Sequence, residues 1–172
     1  MANHMSRKPI LLLLPCTNIK PYSRSPSWKF VLNHIGRYRD VFDVAAVDCI
    51  TDRRTRRPFG IVHERQQSLV VGRDEHPDPE KLDDLVVEIE KKLGRLAPRY
   101  DHIIAYLNVR TYWQAIERIQ DQFNITMLPK AYRRRKKWNS HVMHMGPIGM
   151  FKKSIKQLER EIELRLEGKS RK

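Results

Sequence analysis

The sequence predicts an α/β protein, a three-layer α/β/α sandwich in which helices cover both faces of a mostly parallel sheet. Three observations carry that expectation. Ile10-Leu11-Leu12-Leu13-Leu14 is an unbroken apolar run of strand length, the pattern of a strand buried on both sides. Short apolar segments then alternate with longer segments of helical periodicity, the order that builds parallel sheets. At 172 residues, 40% hydrophobic and 31% charged, the chain has the composition of one globular domain with room for a core.

The elements follow in order. Residues 1–5 lack the apolar segment of a signal peptide, and His4-Met5 reads as a cloning remnant with Met5 as the expected native start. The first strand runs to Pro15. Ser25 or Ser27 caps a helix to about Tyr38, with Phe30, Val31, His34 and Ile35 on one face. Residues 41–47 read as a second strand, 52–58 as a basic irregular stretch and 68–72 as a short third strand. Asp78 as N-cap and Pro79 at the first helical position open the clearest helix, striped by Leu82, Leu85, Val86, Ile89 and Leu93 and ended by Gly94. Residues 100–107 form the next strand. Thr111 caps a helix carrying Trp113, Ile116, Ile119 and Phe123, and 124–128 is a short further strand. Phe151, Ile155, Leu158, Ile162 and Leu166 mark a long amphipathic helix. The domain is expected over 6–168, with 169–172 as a basic tail.

The charge is unusual. The chain holds 34 Lys and Arg against 20 Asp and Glu, a net +14, and such self-repulsion is best explained by an anionic partner, nucleic acid first. No apolar run approaches the ~20 residues that cross a bilayer, so no membrane role is expected. Two cysteines without a Cys-x-x-Cys pair speak against a disulfide scaffold or zinc finger and fit a reducing cytoplasm. His141 and His144 lack supporting ligands at a useful spacing and His63-Glu64 is not a zinc motif, so neither metal nor cofactor is expected.

Ligands of open parallel sheets bind beyond the carboxyl ends of the strands. That places Cys16 just past the first strand, with Lys20 and Tyr22 close behind and Pro15 and Pro21 stiffening the loop. A lysine ammonium beside the thiol is expected to lower its pKa. Lys20 can instead hold an anion, and Tyr22 can stack on a base. The plainer alternative makes Cys16 a small core residue and Lys20 a solvated charge. Asn108 and Arg110 follow a strand, precede a helix, and face the same rim.

The string from Pro15 to Trp28 adds to this. Pro15-Cys16, three residues, Lys20-Pro21-Tyr22, two residues and Ser25 resemble the signature of the archaeosine synthase core domain, Pro-Cys-x-x-x-Lys-Pro-Tyr-x-x-Ser-x-x-His. Pro58-Phe59-Gly60-Ile61-Val62 is similar to that family's Pro-Leu-Gly-Leu-Val-Pro segment. The resemblance implies a uracil-DNA-glycosylase-like sandwich and action on tRNA whose D-loop carries a cyano-deazaguanine. An amine donor, lysine in that family, adds to the nitrile, and a radical-SAM partner enzyme completes the base. Carried over, Cys16, Lys20, Tyr22 and Ser25 line the modification pocket, with Trp28, Pro58, Phe59 and Gly60 on the substrate side. Either a Cys16 thiolate attacks the nitrile to form a thioimidate, or the amine attacks directly. Trp28 stands where the family has histidine, removing a general base. The family's transglycosylase-like and RNA-anchoring domains have no counterpart in these residues.

Two basic clusters are candidates for RNA contact: Arg53, Arg54, Arg56 and Arg57, and Arg133-Arg134-Arg135-Lys136-Lys137 between Tyr132 and Trp138. Their charges suit phosphates and the flanking aromatics can stack on bases. The expected roles are therefore a tRNA-modifying transferase, a catalytically inactive tRNA-binding relative or accessory subunit, or, on fold analogy alone, a nucleobase glycosylase-like enzyme.

Overall fold

A computed structural model describes residues 8–17, 19–69, 79–130 and 146–168 of the chain. Five strands form the sheet: β1 (Ile10–Pro15), β2 (Phe42–Thr51), β3 (Pro58–His63), β4 (His102–Tyr106) and β5 (Ile125–Leu128). Their spatial order is β3-β2-β1-β4-β5. Strand β1 pairs in parallel with β2 and β4, and β4 with β5, while β3 runs antiparallel to β2 at the edge. The chain thus steps outward from β1 to β3, then returns to place β4 on the other side of β1. This reversal of direction falls at the carboxyl ends of β1 and β4, the position at which open α/β sheets form a ligand-binding crevice.

Both faces are covered, completing the predicted sandwich. On one, α1 (Pro26–His34) and α4 (Gly146–Glu167) bury Trp28, Val31, Phe151, Ile155, Leu158 and Ile162 against Ile10, Leu12, Leu14 and Val44. On the other, α2 (Leu82–Leu96) and α3 (Arg110–Glu117) bury Leu85, Ile89, Leu93, Trp113 and Ile116 against Leu11, Leu13, Ala45 and Val47. Successive β1 residues point to opposite faces, so each leucine of the run serves one core or the other. Helix α4 lies antiparallel to the parallel strands. Near its start, Tyr106 at the end of β4 donates to the Phe151 carbonyl at 3.1 Å; near its end, Arg165 donates to Thr126 of β5 at 2.8 Å.

Several boundaries differ from the sequence expectation, each for a physical reason. The third strand is Pro58–His63, and Ser68 and Leu69 close a 3-10 segment, Glu64–Leu69; residues 70–72 lie outside the described residues. Residues 52–57 are the turn of a β2–β3 hairpin, anchored by the Asp52 amide on the Arg57 carbonyl at 2.8 Å. Pro58 is tolerated because it begins an edge strand. Pro79–Lys81 form a 3-10 turn before α2, which starts at Leu82 without a side-chain cap, and Asp78 lies outside the described residues. Gly94 does not end α2, which continues to Leu96 and closes on an Ala97 amide bond to Leu93. Helix α3 begins at Arg110, capped by Val109 rather than Thr111, which is buried inside it. Helix α1 stops at His34 and a 3-10 segment, Gly36–Val41, carries the chain to β2; His34 stays exposed while Val31 and Ile35 are buried. No helix among the described residues is long and apolar enough to cross a membrane.

Candidate functional site at the carboxyl edge of the sheet

Cys16 follows the last residue of β1 and is partly exposed, touching both apolar cores. Its amide donates to the Val47 carbonyl at 2.9 Å, which extends the β1–β2 ladder by one rung and fixes where the thiol points. The Cys16 sulfur lies 2.8 Å from the Tyr112 hydroxyl. That hydroxyl also donates to the Cys49 sulfur at 3.1 Å and accepts the Cys49 amide at 3.4 Å. One phenol from α3 therefore joins the ends of β1 and β2.

The expectation that Lys20 lowers the Cys16 pKa does not hold. A hydrogen bond with the Cys49 thiol, burial and the nearby Asp48 carboxylate hold Cys16 well above the ordinary thiol value, and only the Tyr112 hydroxyl works the other way. The ammonium of Lys20 is turned elsewhere, donating to the Thr17 carbonyl and lying 4.4 Å from the centre of the Tyr22 ring. Burial, the two thiols and their hydrogen bonds also push Tyr112 up. In this thiol–phenol–thiol chain Cys16 and Tyr112 therefore keep their protons at neutral pH.

Beside it lies a second buried pair. Tyr22 is fully buried and donates to Asp48 Oδ2; Asp48, also fully buried, accepts the Ile50 amide on Oδ1 at 2.7 Å. Burial, reinforced by that carboxylate, raises the Tyr22 pKa far above its ordinary range. Trp28 stacks on Tyr22 with ring centroids 5.2 Å apart, and its indole donates to the Pro15 carbonyl at 2.9 Å. Ser25 accepts the Trp28 amide at 3.2 Å as the N-cap of α1. Trp28 and Ser25 thus hold the loop to the end of β1; the sequence reading foresaw the cap but not the indole bond.

The remaining residues divide. Asn108, 8% exposed, follows β4 across the crevice, and Arg110 is exposed at the start of α3. Pro58, Phe59 and Gly60 lie on the edge strand β3. Gly60, at φ +74, sits where a Cβ would approach the Glu88 and Ile89 backbone to 2.9 Å, so its lack of a side chain admits α2. Phe59 packs on the α1–α4 core and lies under Lys92. Arg53, Arg54 and Arg56 are exposed at the hairpin tip, on the carboxyl side of the sheet and beyond the level of Cys16, whereas Arg57 pairs with Glu88 at 3.2 Å. Arg133 to Trp138, with His141 and His144, lie outside the described residues. Sequence reasoning missed Asp48 and Tyr112. Their signals were a carboxylate inside the apolar run Val47-Asp48-Cys49-Ile50 and an aromatic in the first turn after a strand.

No protein-family profile matches the chain, and no curated protein matches it. Among solved structures it is similar to the crystal structure of AF0587, a protein of unknown function, with a TM-score of 0.54 at 17% identity. The match covers 90% of this chain and 44% of the other, so the chain spans less than half of that neighbour. At this identity the likeness shows the fold alone.

Proposed function

We propose that the protein binds tRNA and receives a nitrile-bearing deazaguanine base at the β1–β4 crevice, as a relative of the archaeosine synthase core working in a reducing cytoplasm. The observation that carries this reading is convergence. Cys16 and Lys20 from the signature, and Asn108 and Arg110 from a segment far along the chain, all follow the carboxyl ends of β1 and β4, the strands that flank the reversal of strand order, in a chain of net charge +14. Base-modifying enzymes hold an extruded base in such a pocket by its edge and faces.

The chemistry this pocket can support balances without a cofactor. The Cys16 sulfur bonds to the nitrile carbon while its proton passes to the nitrile nitrogen, giving a thioimidate. An amine donor then displaces the thiol, leaving an amidine on the base and a free Cys16. Tyr112 can stabilise the sulfur as its proton leaves by turning its hydroxyl from Cys49 to Cys16, since a hydroxyl donated to a thiolate favours the charged form. A partner radical-SAM enzyme would complete the base, as in the family resembled.

The second reading is a tRNA-binding relative without catalysis, and one observation favours it: the raised Cys16 pKa, opposite to what an activated nucleophile needs. One assay separates the two. The protein is mixed with tRNA bearing the cyano-deazaguanine and with lysine, and the nucleoside mass is followed. Product that disappears in Cys16→Ala supports the transferase. Salt-sensitive binding with no product supports the binding relative. Absence of tRNA binding at about 50 mM salt, where phosphate contacts are strongest, overturns both.

A further inference from the structure

The first half of α4 carries an exposed cationic stripe. Lys152, Lys153, Lys156 and Arg160 are all exposed, opposite the buried Phe151, Ile155, Leu158 and Ile162. Lys152, Lys156 and Arg160 are spaced i, i+4, and spread over about 12 Å at the rise of a helix. None of the four forms an ion pair with another described residue. Of the acids of α4, Glu159 pairs with His34 and Arg37, Glu161 with Arg165 and Glu163 with Arg37, and Glu167 is the last residue of the helix. Like charges four apart disfavour the helix by a few tenths of a kcal/mol per pair, so the stripe runs against the helix's own electrostatics.

Its position gives it a use. The Phe151 carbonyl is bound by Tyr106 at the end of β4, and the Lys130 amide, just beyond β5, donates to Gln157 at 3.0 Å. The stripe therefore begins at the carboxyl edge of the sheet, next to the candidate site, with exposed Lys130 at its margin. We infer that Lys130, Lys152, Lys153, Lys156 and Arg160 form a phosphate track that holds the RNA backbone on the β5 side of the crevice. The inference rests on the RNA-binding reading above and adds a surface to it. An anionic membrane is the weaker fit, because interfacial helices need large apolar residues beside their charges. The exposed large apolar residues among those described are Ile19, Val87 and Leu164, of which only Leu164 lies on α4, beyond Arg160.

The test uses the full chain and an unmodified tRNA transcript, with dissociation constants measured from 50 to 200 mM KCl. The variant Lys152→Gln/Lys153→Gln/Lys156→Gln removes exposed charges only, and its circular dichroism melt checks the fold. The logarithmic salt slope is expected to fall by about 2, since each lost phosphate contact removes 0.7–0.9. Wild-type binding with an unchanged slope in the triple variant overturns the track and leaves the RNA reading standing. A wild type that fails to bind at 50 mM overturns the RNA reading and the track with it. Loss of binding to vesicles with 30% phosphatidylserine, with tRNA binding unaffected, assigns the stripe to lipid and overturns the proposal.

Discussion

The thiol–phenol–thiol chain makes Cys16 behave unlike an isolated cysteine, and its neighbours set the direction. Removing the Cys49 thiol takes away the largest influence raising the Cys16 pKa, so Cys49→Ala is expected to speed Cys16 alkylation by iodoacetamide at pH 8. Tyr112→Phe removes the only hydrogen bond that lowers it and is expected to slow the reaction. The two pH–rate profiles should shift in opposite directions. Protonation also links to stability. Unfolded, Cys16 titrates near 9.0 and Tyr22 near 10.0; folded, both keep their protons to higher pH. Their contribution is complete below about pH 9 and is lost as pH rises beyond it, because the unfolded chain then binds fewer protons. The urea midpoint is expected to fall between about pH 9 and 11, as stability drops by up to about 1.4 kcal/mol per pH unit for each group. Tyr22→Phe should flatten that decline; a midpoint that does not move would contradict the linkage. Cys16 was legible from chain order because a strand's carboxyl end is readable. Tyr112 and Asp48 were not, since their partners lie on other strands.

Among the elements, β3 shows why local pattern failed. Pro58 and Gly60 look like turn residues, and Ser68-Leu69-Val70-Val71-Gly72 looks like a strand. The edge position spares Pro58, and α2 packs so closely over β3 that position 60 must lack a side chain. Gly60→Ala is expected to cost at least about 1–3 kcal/mol, from its positive φ and the backbone contact. Chemical denaturation measures this; a loss below about 0.5 kcal/mol, the size of an ordinary surface change, would show that α2 moves freely. Ser25, by contrast, was legible as a cap because the signal lies within four residues. Thr111 carried the same kind of signal without serving, since α3 begins where packing on the sheet starts it, at Arg110.

At the scale of the whole molecule, the charge was legible from composition but its placement was not. Only strand direction and the antiparallel β2–β3 hairpin bring Arg53, Arg54 and Arg56 to the edge that holds Cys16. Replacing these three by Gln is expected to weaken tRNA binding about equally for every tRNA tested, as loss of phosphate contacts does. A change confined to one tRNA would point to base reading instead. The reversal of strand order also bears on how the molecule comes into being. The crevice is walled by β1 and β4, whose register pairs Ile10 with His102, so no early local structure can contain it. Closing so long a stretch of chain is slow. In refolding, Cys49 is expected to gain protection from a pulse of alkylating reagent only with the cooperative formation of the central sheet. The pocket is then a late product of assembly, and a destabilised chain loses it together with its core.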